Sequence, residues 1–425
     1  MLIRQATLLD GRIADVRLAE RIAEIAPALA REPGELVIEA RRGTLLPGLH
    51  DHHIHLRAAA AAMDSVMVGP PDAHTPDDFA AAIAAAADDG DGWIRAVGYH
   101  ESVAGRLNRH VLDALCPSKP LRVQHRSGAM WILNTAALDR IGAASHPDGR
   151  FSSDDLRLAA AIPRRDPDLR ELDRRLAGYG VTGVTDATPD LDPDDITNLR
   201  GAIRQRVSCL SPGKKILSDG QLDLEALTDW IALRRNGDHP VAIHCVTVAQ
   251  LVVAIAALRA AGTHPSDRIE HAAMVDRDNI EALADLGVTV VTQPNFVAER
   301  GDQYRCDIPV DDQDQLWRIR SLIRAGITVA GSTDAPFGGI DPWAAMRAAV
   351  RRTTAGGHIV GAAEALTPLR ALQLFLGSAD QPGRIREIAI GQPGDICLLS
   401  VPPATALAEL SAGMVELTAV AGQVL

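Results

Sequence analysis

The sequence predicts an α/β protein: a distorted (β/α)8 TIM barrel, a small β-sandwich domain made from both termini, and an inserted subdomain after the first barrel strand. Three patterns predict it. From about residue 180, short β-rich runs alternate with longer helical runs, and that alternation marks a parallel sheet. Both ends of the chain read as short strands without helices between them. The stretch from about 66 to 170 follows neither rhythm. The number of β–α units favours the barrel over a doubly wound sheet, which is the second choice.

Residues 1–46 read as strands with turns at Asp10-Gly11 and Pro33-Gly34, and the tail over 385–425 is strand-like at Gly394–Val401 and Val415–Val424. The two ends are expected to form one small β domain, with the barrel over 47–384. The insert holds an Ala-rich helix over 77–88, apolar runs at Trp93–Tyr99 and Leu121–His125, and a helix near 134–141. In the barrel, Val181–Asp186 leads to a polar helix near 192–205. Val241–Val246 leads to Thr247–Ala261, where Leu251, Val252, Ile255 and Leu258 recur at helical spacing. Arg268–His271 precedes a helix near 277–286, and Val288–Pro294 runs into a loop and then a helix near 313–325. Thr328–Pro336 precedes a helix near 342–355. The segment Arg206–Asp219 is compressed. Arg206–Leu210 and Lys214–Ser218 read as strands parted only by Ser211-Pro212-Gly213, whereas parallel neighbours need a crossover of about a dozen residues. Either the barrel is distorted there or one run is not a barrel strand.

The 425 residues include 47% apolar and only 3% aromatic side chains, so Ala, Leu, Val and Ile must fill the core. Charged residues at 23% exclude a disordered chain. The formal charge of −12 disfavours nucleic acid and anionic membranes as partners. Five cysteines without CxxC spacing argue against a disulfide scaffold or a zinc ribbon and for a reducing compartment. With no signal-peptide pattern and no apolar run of membrane-spanning length, the expectation is a cytoplasmic protein, its oligomeric state open.

The sharpest segment is Pro47-Gly48-Leu49-His50-Asp51-His52-His53-Ile54-His55, which follows the apolar run Thr44-Leu45-Leu46. Residues i and i+2 of a strand share a face, so His53 and His55 project together, as two imidazoles must to share a metal. His50 and His52 fall out of phase and are expected to support the pair or face solvent. His244, His271 and Asp334 end three later apolar runs, and Lys215 opens Lys215-Ile216-Leu217-Ser218-Asp219-Gly220. Each alone reads more readily as a core His, a helix cap or a surface Lys. Together they fall where barrel strands end, which is where barrel active sites sit. Gly178-Tyr179-Gly180-Val181-Thr182-Gly183 satisfies GxGxxG but precedes a strand, so it reads as a turn. Cys245, next to His244, is expected to face into the core.

On these residues the chain resembles the metal-dependent amidohydrolase superfamily, in the YtcJ-like branch that includes N-substituted formamide deformylases. The resemblance extends to Trp93-Ile94, Gly98-Tyr99, Leu112-Asp113 and Asn134–Leu138 in the insert, and to Gly391–Asp395 near the end. It implies a hydrolase that cleaves an amide, cyclic amide or related C–N bond of a small molecule by a metal-bound hydroxide. It further implies two divalent ions, zinc by the preference of imidazole-rich sites, held by His53, His55, His244, His271, Asp334 and a carboxylated Lys215. A desolvated lysine amine is neutral and can add CO2. Lys214 points to the opposite face and is the alternative, with the Asp-Gly offset favouring Lys215. Asp334 doubles as the general base. Gln293, and His100, Glu101, His125 and Trp131 of the insert, are candidate substrate contacts. Gly128-Ala129-Met130 stands where the family commonly has Gly-His-Ser, so a polar substrate contact is lost. A mononuclear deaminase is the first rival, although Thr247 stands where such enzymes carry an acid. A non-catalytic scaffold is the second.

Overall fold

Valine and threonine supply most of Val181–Asp186 and all of Thr289–Thr292, every residue buried, and β-branched side chains favour such pleated, packed backbone. The computed structural model describes residues 1–87, 92–152 and 166–425. It divides into two compact units, Met1–Leu56 with Arg170–Leu425, and Arg57–Leu169. The large unit contains two parallel sheets. Their strands are β1 (Leu49–Ile54), β2 (Val181–Asp186), β3 (Arg206–Cys209), β4 (Lys214–Ile216), β5 (Ala242–Cys245), β6 (Arg268–His271), β7 (Thr289–Thr292) and β8 (Thr328–Gly331). One sheet runs β3-β2-β1 and the other β4-β5-β6-β7-β8. Beyond β8 the backbone returns to β1: Asp334 N–H donates to the His53 carbonyl at 2.8 Å, and His55 N–H to the Ala335 carbonyl at 2.9 Å.

The compressed segment resolves simply. Arg206–Cys209 and Lys214–Ile216 are both strands, but the first pairs with β2 and the second with β5. No crossover helix is needed because the two belong to different sheets, and Gly213 N–H closes the turn between them on the Leu210 carbonyl.

Helices follow the strands where caps allow. Thr247 accepts from Gln250 N–H to open Val248–Ala261, which buries Leu251, Ala254, Ile255 and Leu258. Asp276 opens Arg277–Leu286, and Gly287 ends it in the left-handed conformation at φ +69°. The loop expected after Val288–Pro294 is instead a helix, Asn295–Asp307. Its apolar signal is confined to Phe296 and Val297, so burial by neighbours rather than periodicity sustains it. The helix expected near 313–325 is reduced to Ile319–Arg324, and a further helix, Pro403–Glu409, interrupts the strand-like tail.

Two four-stranded sheets come from the termini. One joins Leu2–Thr7, Ile13–Leu18, Ile22–Ala26 and Val37–Glu39; the other joins Leu45–Pro47, Ile396–Leu399, Val415–Val420 and Gln423–Val424. Ile3, Val16, Leu18, Leu45, Ile396 and Leu398 share one apolar cluster across them. The Gly178–Gly183 stretch is a helix end and turn leading into β2, and Gly180 takes φ +78° there. At Gly183 a Cβ would collide with the His50 ring. Gly183→Ala is therefore expected to destabilise by about 1–3 kcal/mol, read as a lower denaturant midpoint at unchanged slope.

The unit Arg57–Leu169 has its own five-stranded sheet, in the order Arg150–Ser152, Met130–Leu133, Leu121–His125, Ile94–Tyr99, Val66–Met67. Phe79, Tyr99, Leu112, Leu121 and Val123 are buried against it. The Ala-rich helix spans Pro76–Ala85, and position 88 of the expected range lies outside the described residues. So do residues 153–165 of the insert expected over 66–170. No helix among the described residues is long and apolar enough to cross a membrane.

Candidate metal centre

The C-terminal ends of β1, β5 and β6, the first residue of β4 and the segment after β8 bring polar side chains into one buried cluster. His53 and Glu270 are wholly buried, and Asp334, His271 and Lys214 nearly so. His55 and His244 keep a little exposure. One ligand atom each from His53, His271 and Asp334 lies within 4.8 Å of the other two. His53 Nε2 and His55 Nε2 each stand 3.5 Å from Asp334 Oδ1. The His244 and His271 ring centroids are 4.4 Å apart, and those of His53 and His271 are 4.9 Å apart. His271 and Asp334 take φ +70° and +56°, a conformation costly for residues other than glycine and concentrated at functional sites.

The lysine among them is Lys214. Its Nζ lies 3.1 Å from His53 Nε2, while Lys215 is exposed with its amine 5.8 Å from the Trp230 ring centroid. This corrects the expectation for Lys215. Lys214 stands opposite Ala242 in the β4–β5 ladder, and that register turns its side chain, not its neighbour's, inward. Burial lowers the Lys214 pKa, against the pull of the Asp334 and Glu270 carboxylates, which favours the neutral amine.

The far side of each ring is fixed. His53 Nδ1–H donates to Glu270 Oε2 at 2.5 Å, and Arg268 forks onto both Glu270 oxygens at 2.7 and 3.1 Å. Gln293 Oε1 accepts from His271 Nδ1 at 2.8 Å, and Gln293 Nε2 donates to Ser332 Oγ at 2.9 Å. Both rings thus aim an Nε2 lone pair into the cluster. His271 Nε2 and Asp334 Oδ1 are buried there with no hydrogen-bond partner. Unpaired buried acceptors are costly, and a divalent cation satisfies both. The residues therefore fit a metal, on which Glu270 would act through His53. Glu270→Gln is expected to weaken Zn2+ uptake about tenfold to a hundredfold, measured by equilibrium dialysis against a chelator.

Burial pushes the Asp334 carboxyl up to about 7, against the Lys214 ammonium, which lowers it. Burial likewise holds His53, His55 and His271 neutral, well below the usual imidazole range. Asp51, itself pushed up to about 6 by burial, accepts from the Thr333 backbone N–H at 3.1 Å and from its hydroxyl, so it ties β1 to the segment carrying Asp334.

The remaining expected positions fall as follows. Gln293 is wholly buried and committed to His271 and Ser332. That corrects its expected role in substrate contact, since both ends of its amide are engaged. His50 and His52 are buried, which corrects the solvent-facing alternative; His50 Nε2 pairs with Thr185 Oγ1 at 2.9 Å. Cys245 is buried. In the other unit, His100, Glu101 and His125 come together, while Trp131 lies 5.5 Å from each of the Arg95 and Arg122 guanidinium carbons. Glu270, Arg268 and Asp51 were not singled out from the sequence. Two charged residues at i and i+2 inside the short strand β6 were the available signal.

Parallel strands whose C-terminal ends converge on buried imidazoles and a carboxylate point to a class, the metal-dependent hydrolases built on parallel sheets. The chain belongs to the amidohydrolase family, whose sequence profile matches residues 36–425. Within it, the relatives are of the YtcJ-like branch. The N-substituted formamide deformylase of Arthrobacter pascens is 25% identical over 498 residues, covering 94% of this chain and 90% of that one. Amidohydrolase YtcJ of Bacillus subtilis is 28% identical over 215 residues, covering 48% of this chain and 40% of that one. An uncharacterized metal-dependent hydrolase from Pyrococcus horikoshii shares the fold at a TM-score of 0.73 and 18% identity, over 95% of this chain and 97% of that one.

Proposed function

We propose that this chain hydrolyses an amide, cyclic amide or related C–N bond of a small molecule at a centre holding two divalent ions, zinc by ligand preference. The observation that carries the reading is the pair of orphaned buried acceptors, His271 Nε2 and Asp334 Oδ1, facing imidazoles whose other nitrogens are already committed. His53, His55 and Asp334 would hold one ion, His244 and His271 the other. Lys214, carboxylated by loss of an amine proton and formation of an N–C bond to CO2, would bridge them. Such ions activate water and polarise a carbonyl. Asp334 would take a proton from the attacking water and deliver it to the departing nitrogen. The Phe337 ring stands edge-on to His55 at 5.3 Å and gives the centre one apolar neighbour. The relative named as an N-substituted formamide deformylase supports the C–N reading.

In architecture, we propose that the two parallel sheets are the arcs of a distorted (β/α)8 barrel over 47–384. Residues 1–46 and 385–425 would form a small β-sandwich beside it.

The test is turnover of amides, lactams and N-substituted formamides by the metal-loaded chain, with His53→Ala/His55→Ala as blank. Turnover that the blank lacks, with two more ions per chain than the blank holds, is expected. A difference of one tightly held ion would point to the mononuclear deaminase, and no difference in turnover across the panel to a scaffold.

A further inference from the structure

We propose a second metal site, for a zinc-class divalent cation, built from His100, Glu101 and His125 of the unit Arg57–Leu169. It shares no residue with the cluster around Asp334.

Strands Ile94–Tyr99 and Leu121–His125 are parallel neighbours with Tyr99 opposite His125. His125 ends one strand and His100 follows the other, so both imidazoles project from the same sheet edge, with ring centroids 5.8 Å apart. Glu101 Oε2 lies 2.9 Å from His125 Nε2. One ligand atom from each of the three residues lies within 4.8 Å of the other two. Ligand bonds of about 2.0–2.2 Å close that gap with small side-chain shifts.

The two histidines are held alike. His100 Nδ1 is 2.9 Å from the Ser102 hydroxyl and His125 Nδ1 is 2.7 Å from the Ser127 hydroxyl. When Nδ1 carries the proton it donates to that hydroxyl, and Nε2 presents its lone pair, the arrangement that metal-bound imidazoles share. The backbone N–H of each serine donates to the same Nδ1 at 3.2 Å, so in the metal-free chain Nδ1 accepts and Nε2 carries the proton. There the His125 Nε2 proton faces Glu101; a cation taking that place uses the Nε2 lone pair, and the ring proton moves to Nδ1, where the Ser127 hydroxyl accepts it. His100 also caps the helix Glu101–Ala104 through Nδ1, and this places its ring beside the carboxylate that His125 meets. Partial exposure of all three leaves room for water as a fourth ligand, as open zinc sites require. Arg150 Nη2 stands 4.0 Å from Glu101 Oε1 and opposes a cation, but its Nη1 is tied to the Leu107 carbonyl, and Glu101 Oε2 stays with His125.

The experiment uses the full chain and Zn2+ alone, with metal counted per chain after equilibrium dialysis. His53→Ala/His271→Ala is expected to retain one ion, and adding His100→Ala/His125→Ala to remove it. In the otherwise unaltered chain, Glu101→Gln keeps shape and a hydrogen bond to His125, and is expected to raise the Kd of one ion about tenfold or more. Thermal unfolding checks that each variant is folded; should the histidine variants fail to fold, the Glu101→Gln titration decides. Equal zinc content with and without His100 and His125, or an unchanged Kd in Glu101→Gln, overturns the site. Neither result bears on the centre around Asp334, whose loading is read separately.

Discussion

Lys214→Met is expected to lower kcat/KM by about two to three orders of magnitude, while Lys215→Met leaves it near wild type. Lys214 is the lysine within reach of His53 and buried beside Asp334, and its partner in sequence lies out against Trp230. Methionine keeps the volume but cannot carry a carboxylate. On the proposed binuclear reading, loss of the bridging anion would forfeit several kcal/mol of charge stabilisation, and each 1.36 kcal/mol is tenfold in rate. Steady-state kinetics on the amide panel, with metal content measured alongside, checks it. A Lys215 variant as damaged as the Lys214 variant would mean that the register of β4 is not the one described.

The metal-free chain is expected to lose stability steeply as pH falls from 6.5 towards 5. Burial holds His50, His52, His53, His55 and His271 well below the usual imidazole value, and His244 at about 4. Unfolded, each titrates near 6.5. Below that pH the unfolded chain binds protons that the folded chain refuses, so stability falls with pH, by about 1.4 kcal/mol per unit for each group. Asp334 and Asp51 act the other way. Their carboxyls are raised to about 7 and about 6, so the folded chain holds two protons that the unfolded chain releases above about 4. Asp186 and Glu299 are raised as well and His125 lowered, so the imidazoles still outnumber the carboxyls and stability falls as pH falls. Thermal unfolding after chelation, scanned between pH 7 and 5, reads the effect. A midpoint that stays level over that range would show that these imidazoles accept protons in place.

Period and position made much of the candidate centre legible. His53 and His55 two apart at the end of an apolar run could only share a face. His244, His271 and Asp334 each ended a run that tertiary packing then turned into a parallel strand. Lys214 was harder. Two adjacent lysines open a three-residue strand, and alternation says that one points inward without saying which. Only pairing with Ala242 decides it. The commitment of Gln293 to His271 and the Arg268–Glu270–His53 chain are contacts between strands, invisible to any local pattern. The helix Asn295–Asp307 was missed for a similar reason, since its polar sequence gains order from what packs on it.

By itself, the sequence determined the order of β and α segments, the terminal strands and the imidazole and carboxylate set, because these follow from side-chain periodicity and composition along one stretch of chain. The tertiary structure alone decided which lysine enters the cluster, which nitrogen of each histidine is left to bind, and that His50 and His52 are buried. Those depend on register and burial, which arise only when residues far apart in the chain are brought within a few ångströms and water is excluded between them.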